Sequence, residues 1–225
     1  MAHQGIQWDK LFGKLIIISI PLMIICLACN ITMRMGDTYQ YNLSASEVLN
    51  SAPVVVSEEK VVNTFQDYMQ YKIKDFTLLE EVDYEPKDVF NDTDKKAMYN
   101  LRMTLNIMLL IGILMLLITA VSYFFLIRWR KKYIHMRCFK KSFWIFVLLS
   151  IIFSLTTAVP ELRALTWGHM FGNKFSSDDL LVMIFEKNFA LQVTVFDLII
   201  SFVLMAVLAY ATWEAAGRKK MFRRR

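Results

Sequence analysis

The sequence predicts an all-α membrane protein with four transmembrane helices and a small extracytoplasmic α/β cap between the first two of them. Hydrophobic residues make up 56% of the 225 residues, and the mean hydropathy of +0.39 is too high for an ordinary soluble domain. Four long stretches carry almost no charged side chain. The segments between them are alternately rich in basic and in acidic residues, as in a chain that crosses a membrane several times.

The distribution of charge excludes one class of function. The net charge of +6 is by itself compatible with nucleic-acid binding. However, seven basic residues lie in segment 128–141 and six in segment 218–225, whereas segment 34–102 holds 13 acidic and 8 basic residues. Basic residues concentrate in the cytoplasmic loops of membrane proteins. We therefore predict both termini in the cytoplasm, membrane lipid as a partner and no nucleic-acid partner, and the oligomeric state stays open.

Residues 1–33 are predicted to form the N-terminus and transmembrane helix 1. A cleaved signal peptide is the alternative, but its removal would leave an odd number of spans, so an uncleaved anchor is preferred. Cys26 and Cys29 lie in this apolar run and Cys138 lies in a basic segment. Three cysteines so placed do not form a disulfide framework, and small buried hydrophobic residues are the preferred interpretation.

Residues 34–102 are predicted to form the extracytoplasmic cap segment. Val54–Val56, after a proline, is predicted as a short strand. Ser57 is predicted to be the N-cap of a helix with one apolar face, which comprises Val61, Val62, Phe65, Tyr68, Met69 and Ile73. A second extended piece is expected over Phe76–Val82. About seventy residues can fold into such a cap, but only around a small core.

Transmembrane helix 2 is predicted over residues 103–127. The triplet Asp92-Thr93-Asp94 is a helix-start signal, and the polar turns that follow it place the beginning of the helix outside the bilayer. The next 25 residues carry no charge, and such a length suffices to cross a hydrocarbon core of roughly 30 Å. The run stops at Arg128.

The second half of the chain repeats this alternation. We predict a basic cytoplasmic loop over 128–141, transmembrane helix 3 over 142–160, an extracytoplasmic loop over 161–188, transmembrane helix 4 over 189–217 and a basic cytoplasmic tail over 218–225. His135, within the basic loop, is expected to be a solvated side chain near the membrane surface.

Polar side chains that could carry chemistry gather at the predicted external face. They are Asn100, Arg102 and Asn106 at the outer end of helix 2, Glu161, Arg163 and His169 in the second external loop, and Asp197 about two turns into transmembrane helix 4. A lone charge in a span costs about 2.5–3.5 kcal/mol on insertion scales. One interpretation is therefore an ion pair of Asp197 with Arg102 or Arg163. The other is a polar pocket in which His169 transfers protons. No metal-ligand or nucleotide-binding motif occurs, so no metal or cofactor is expected.

The order of segments resembles that of the lipoprotein intramolecular transacylases of low-GC Gram-positive bacteria. Three local patterns are similar as well. Ser57–Tyr71 resembles the helix of the family's first external segment, and His169–Phe175 with Asp179–Phe185 resembles its histidine-bearing second loop. Phe90–Arg102 resembles a motif at the start of helix two, in which the family has a histidine and an aspartate where this chain has Ala97 and Asn100.

The resemblance implies a location in the bacterial cytoplasmic membrane and a function. These enzymes move an acyl chain from the glyceryl group of a diacylated lipoprotein cysteine to that cysteine's own amine, which gives a lyso-form lipoprotein. His169 then becomes the candidate catalytic residue, and Arg102, Asn100, Arg163 and Asp197 become candidates for binding the substrate or an oxyanion. Because Ala97 replaces a histidine, activity is expected to be weak or absent. The alternative is a non-catalytic membrane protein that binds lipid, lipoprotein or a membrane partner, and whether the chain is an enzyme stays open.

Overall fold

The structure, a computed structural model, describes residues 7–40, 57–82, 84–159, 161–163, 165–166, 181, 184–185 and 187–217. Its elements are α1 (Trp8–Arg34), α2 (Glu58–Met69), β1 (Leu79–Val82), β2 (Glu85–Asp88), α3 (Asp92–Arg128), α4 (Lys132–Ala158) and α5 (Lys187–Gly217). The helices α1, α3, α4 and α5 are long and apolar enough to cross a membrane. The predicted helical membrane protein with a small α/β cap is confirmed. The limits of the hydrocarbon along each helix, and the side on which the termini lie, stay predictions.

The chain divides into two compact units. The bundle unit comprises Met1–Ala28, Met108–Ile152 and Leu198–Arg225, and the cap unit comprises Cys29–Ile107 and Phe153–Asp197. Each of the four long helices contributes residues to both units.

The bundle unit packs around an apolar cluster. Its buried members are Ile16, Ile20, Met23, Ile24, Leu126, Cys138, Phe139, Phe146 and Met205. Two hydroxyl pairs join helices within it. Ser19 Oγ lies 2.7 Å from Thr119 Oγ1, and Tyr123 Oη lies 3.1 Å from Thr212 Oγ1. Interhelical hydroxyl bonds of this kind are a common means of association in membranes, where lipid is as apolar as the helix faces.

His135 is buried, so the expectation of a solvated side chain is wrong. It is 2% exposed, and its ring lies edge-on to Tyr123 with the ring centres 4.2 Å apart. The reason is that α4 begins at Lys132, so most of the basic segment is helical. The helical period then places His135 on the same buried face as Cys138, Ser142 and Phe146. None of the three cysteines forms a disulfide and all three are buried, which confirms their interpretation as small hydrophobic residues.

In the cap unit, α2 forms as predicted. The Ser57 hydroxyl accepts a hydrogen bond from the Lys60 backbone N–H at 3.4 Å. The predicted apolar face is buried from Val61 to Met69, but the helix ends at Met69, so Ile73 lies beyond it. The strand expected over Val54–Val56 lies outside the described residues.

An antiparallel hairpin follows α2. Leu79 pairs with Asp88 and Val82 pairs with Glu85. The sequence predicted the first strand within Phe76–Val82 but not the second, which contains Pro86. Proline is tolerated there because this two-stranded sheet has only edge strands.

The core of the cap unit is aromatic. Phe65 is fully buried, and its ring centre lies 5.0 Å from that of Tyr39, 5.1 Å from that of Phe76 and 5.5 Å from that of Phe185. Phe90 closes the group at 4.4 Å from Phe76. The Tyr39 hydroxyl donates to the Met33 carbonyl oxygen at 2.7 Å, and burial raises the pKa of this phenol. Stacked and edge-on rings contribute about 0.5–1.5 kcal/mol per pair beyond their buried area.

The start of α3 is fixed by a reciprocal cap. Asn91 Oδ1 accepts from the Asp94 backbone N–H at 2.8 Å, and Asp94 Oδ2 accepts from the Asn91 backbone N–H at 3.2 Å. The helix start predicted at this point is confirmed, with Asn91 as the residue that caps it.

Candidate functional site

Arg34, the last residue of α1, joins three helices of the cap unit. Its Nη1 donates to the Met69 carbonyl oxygen at 2.7 Å, its Nη2 to Asn106 Oδ1 at 3.0 Å and its Nε to Asn30 Oδ1 at 3.2 Å. Asn30 in turn donates to the Leu105 carbonyl oxygen at 3.0 Å. One guanidinium therefore connects the end of α1 with α2 and α3.

Arg102 holds α2 from the side of α3. Its guanidinium carbon lies 3.8 Å from the centre of the Tyr68 ring and 4.9 Å from that of Tyr71, within the range of cation–π attraction. The same guanidinium donates to the carbonyl oxygens of Tyr68 and Lys74, each at 3.4 Å. Burial raises the pKa of the Tyr68 phenol, although Arg102 acts in the opposite direction.

The two arginines share one structural task. The carbonyl groups of Tyr68 and Met69 belong to the last turn of α2, which lies beyond the reach of further helical N–H groups. The Tyr68 carbonyl oxygen accepts from the Tyr71 backbone N–H at 3.2 Å and takes a second bond from Arg102, whereas the donor described for the Met69 carbonyl is Arg34. Cationic donors at a helix C-terminus satisfy these groups and complement the helix dipole. Arg102 is among the site residues predicted from the sequence, and Arg34 is not. The signal was present, because Asn30 and Arg34 stand four residues apart at the end of an apolar run.

Asp197 does not form the predicted ion pair. It is 2% exposed, and its Oδ1 has no hydrogen-bond partner within the part of the chain that the structure describes. No described basic group lies within 4.0 Å of its carboxylate. Arg102 is occupied by α2, and Arg163 donates to the Thr157 carbonyl oxygen at 3.4 Å. The Thr194 hydroxyl, one turn before Asp197, donates to Thr157 Oγ1 at 2.9 Å.

Ala97 and Asn100 lie in the first turns of α3. The Ala97 methyl group is 1% exposed and is flanked by the fully buried Met98 and Leu101, whereas Asn100 is half-buried. Tyr99 is 56% exposed. His169 lies outside the described residues, so its position relative to these residues stays a prediction.

A polar cavity of about 530 Å³ opens elsewhere in the cap unit. It is lined by Gly36, Asp37, Gln40, Glu58, Glu59, Val62, Asn63 and Gln66. None of the four predicted site residues that the structure describes, Asn100, Arg102, Arg163 and Asp197, lines it. Among the described residues, no group of three or more histidine, cysteine or acidic side chains is placed to hold a metal ion.

Comparison with solved structures identifies the fold. No family model and no curated protein matches the sequence. The structure of the membrane-integral lipoprotein intramolecular transacylase Lit from Bacillus cereus, as a histidine-to-alanine variant, superposes with a TM-score of 0.71, covering 95% of this chain and 96% of that one. The chain has the fold of a lipoprotein intramolecular transacylase.

Two further Lit structures agree. One superposes with a TM-score of 0.66 over 92% of this chain, and a histidine-to-arginine variant superposes with a TM-score of 0.62 over 92%. Sequence identity to Lit is only 12–13%. The resemblance predicted from segment order and local patterns is thus confirmed for the fold.

Proposed function

We propose that this chain is a membrane protein of the transacylase type, which receives diacylated lipoprotein at the end of the spans next to the cap. In this proposal the cap faces the outside of a bacterial cytoplasmic membrane and both termini lie in the cytoplasm. One observation carries the proposal. The likeness to Lit extends over 92–95% of the chain, so it includes the cap as well as the spans.

The reaction sets clear chemical demands. The amine of the lipid-modified cysteine attacks the ester carbonyl carbon of an acyl chain on the glyceryl group. A C–N bond forms, the ester C–O bond breaks, the amine loses a proton and the glyceryl oxygen gains one. A tetrahedral oxyanion forms between these steps. The site therefore needs a proton-transfer group and a hydrogen-bond donor aimed at the oxyanion.

The predicted site residues divide among these tasks. We assign proton transfer to His169, whose imidazole has a pKa near neutrality in its ordinary state. The Asn100 amide is a half-buried donor suited to the oxyanion, and Arg163 is a second donor. Asp197 is a carboxyl group without a resident cation among the described residues, so it suits the substrate amine rather than an oxyanion. Arg102, already held by α2, is assigned to binding at the membrane surface.

Ala97 is the reason to expect little or no turnover. A methyl group cannot carry a proton, and a general acid or base contributes about 10²–10⁴-fold to a rate. The same observation favours the second candidate function. Because Ala97 is buried between apolar neighbours, this part of α3 is built for packing. A protein that binds lipoprotein, lipid or a membrane partner without acyl transfer fits that feature.

The test is mass spectrometry of the N-terminal peptide of a diacylated reporter lipoprotein, produced with and without this chain. We expect little lyso-form product from the unaltered chain and more from Ala97→His, alone or with Asn100→Asp. An imidazole in place of a buried alanine also crowds the core, and such overpacking lowers the stability of a protein by about 1–3 kcal/mol. Ala97→Gln, which has similar bulk but no proton to transfer at neutral pH, is the matched control. Robust product from the unaltered chain would reject the assignment of weak activity.

A binding assay separates the two functions. The purified full-length chain, unaltered, is titrated with a diacylated lipopeptide and with the same peptide lacking its acyl chains. Preference for the diacylated form without any product supports the non-catalytic function. Equal affinity for both peptides, together with no product from any variant, would overturn the proposal.

A further inference from the structure

Arg34 and Arg102 meet at one aromatic ring. The guanidinium carbon of Arg34 lies 5.5 Å from the centre of the Tyr71 ring, and that of Arg102 lies 4.9 Å from it. Tyr71 follows Gln70, the C-cap residue of α2, with a positive φ of 64°, and it is 53% exposed. Two cations that belong to different helices thus flank one accessible side chain.

Both guanidinium groups keep unused donors. A guanidinium carries five N–H groups. Within the described residues, Arg34 uses three of them and Arg102 uses two. No described carboxylate lies within 4.0 Å of either group. Capping α2 therefore explains why the two side chains are held in place, but it neutralises neither charge.

Lys74 is a third basic residue whose backbone contacts Arg102. Its backbone carbonyl oxygen accepts the Arg102 hydrogen bond, and its exposed ammonium forms no ion pair in the described part of the chain. The neighbouring Lys72 differs, because Asp67 pairs with it at 2.8 Å. The Asp75 carboxylate also acts electrostatically on Tyr68, so the three cations Arg34, Arg102 and Lys74 against this one acid still leave a local surplus of positive charge.

The sequence places this group at the edge of the hydrocarbon. Arg34 closes the apolar run of α1, and Arg102 immediately precedes the 25 uncharged residues of α3. Lipid phosphate groups lie at this level of a bilayer, and basic clusters there attract anionic headgroups. Guanidinium groups suit phosphate because two parallel N–H groups can donate to two oxygens at once.

We propose that Arg34, Arg102 and Lys74 bind the phosphate group of an anionic membrane phospholipid. This site is separate from the acyl-transfer reaction, because the diacylglyceryl group of a lipoprotein cysteine carries no phosphate. The anionic headgroup neutralises the positive charge that remains on the two guanidinium groups when they cap α2, and it anchors the cap unit at the surface of one lipid leaflet.

The test uses the full-length protein in a neutral detergent and follows its thermal unfolding. The three probes are phosphatidylglycerol, a diacylglycerol with the same acyl chains but no phosphate, and inorganic phosphate in solution. A ligand that binds only the folded state raises the unfolding midpoint in proportion to the logarithm of its concentration above Kd. We expect a rise with phosphatidylglycerol only. Equal rises with phosphatidylglycerol and diacylglycerol would overturn the proposal. If inorganic phosphate binds as tightly as phosphatidylglycerol, the claim that the bound phosphate belongs to a lipid is rejected.

Variants locate the site. Arg102→Gln should weaken phosphatidylglycerol binding by about tenfold or more, since charge-assisted bonds to phosphate are roughly twice as strong as neutral ones. Because this change also loosens α2, Lys74→Gln provides the second measurement. Its side chain makes no described contact, and we expect binding to weaken a few-fold. Lys96→Gln, an exposed position on α3, removes the same charge and should change nothing. If Lys74→Gln behaves like Lys96→Gln while Arg102→Gln merely lowers stability, the proposal fails.

Discussion

The interactions that stabilise the interior of the bundle unit differ from those that stabilise the interior of the cap unit. The bundle unit packs mainly aliphatic side chains with two buried rings, Phe139 and Phe146, and two hydroxyl pairs, and apolar side chains face outward as well. Leu110, Phe124 and Val207 are all more than 60% exposed. The cap unit instead encloses a cluster of aromatic rings, and guanidinium groups join its helices. In lipid an apolar side chain gains little by turning inward, whereas in water that gain is the main driving force.

Removing one buried ring from each unit should expose this difference most strongly. We expect Phe65→Ala to cost about 3–5 kcal/mol, since the cap unit loses apolar burial from water and gains a cavity. Phe146→Ala, equally buried in the bundle unit, should cost less, because in membrane or detergent it loses mainly packing contacts. Thermal unfolding in detergent and proteolysis of the cap measure the two effects. Phe124→Ala, an exposed ring, is the control, and equal costs for Phe65 and Phe146 would contradict the comparison.

The hydrogen bonds by which Arg34 joins α1 to α2 and α3, here called the arginine junction, should give the next largest effect. Arg34→Ala removes hydrogen bonds from a charged group, each worth about 1.5–3 kcal/mol, and leaves the Asn30 and Asn106 amides and the Met69 carbonyl to find other partners. We expect the end of α2 to become protease-sensitive. Arg34→Lys should recover only part of the loss, because an ammonium cannot reproduce the planar set of donors.

Arg128→Ala is the matched control for the junction. Arg128 is exposed at the far end of α3, and no ion pair to it is found in the described part of the chain. An effect of Arg34→Ala no greater than that of Arg128→Ala would show that the guanidinium network does not hold the cap.

The same contrast explains what the sequence could predict. The uncharged run after Arg102 predicted a spanning helix, and the apolar face of α2 from Val61 to Met69 was correct, because water imposes a clear pattern on both. The inward face of α4 was not predicted, so His135 was wrongly assigned to solvent. Its helix is apolar on all sides beyond the basic turns, and no sequence pattern then marks the buried face. Two further features were not predicted, because they depend on contacts between segments that are distant in the sequence. One is that Asp197 lacks an ion pair among the described residues, and the other is the arginine junction.

Removal of the reciprocal cap at the start of α3 should have a smaller effect. Asn91→Ala removes the side chain that accepts from the Asp94 backbone N–H, and the loss of such a cap costs about 1 kcal/mol. Asn91→Asp keeps an acceptor oxygen and places a negative charge at the helix N-terminus, so it should retain most of the stability. Thermal unfolding of both variants measures the difference, and equal losses would show that the cap is not the cause.

The smallest expected effect concerns Asp88, at the end of β2. Partial burial alone raises the pKa of its carboxyl, but the Lys95 ammonium at 2.8 Å and the backbone N–H groups of Leu78 and Phe90 outweigh it, so the pKa is lowered. A carboxyl with a lowered folded-state pKa stabilises the protein at pH values above its ordinary pKa of about 3.9. This stability is lost as the pH falls through the lowered value. We therefore expect Asp88→Asn to cost about 1 kcal/mol or less at neutral pH.

The difference in unfolding midpoint between the unaltered chain and Asp88→Asn is the quantity to measure, because other carboxylates titrate in both proteins and cancel. It should stay constant from about pH 8 to pH 5 and shrink below about pH 4, as the folded-state carboxylate takes up its proton. Glu81→Gln, an exposed strand position without a described ion pair, should show no such dependence. If the difference in unfolding midpoint for Asp88→Asn persists unchanged to pH 3, the introduced amide disturbs packing and the charge of the Asp88 carboxylate does not contribute to stability.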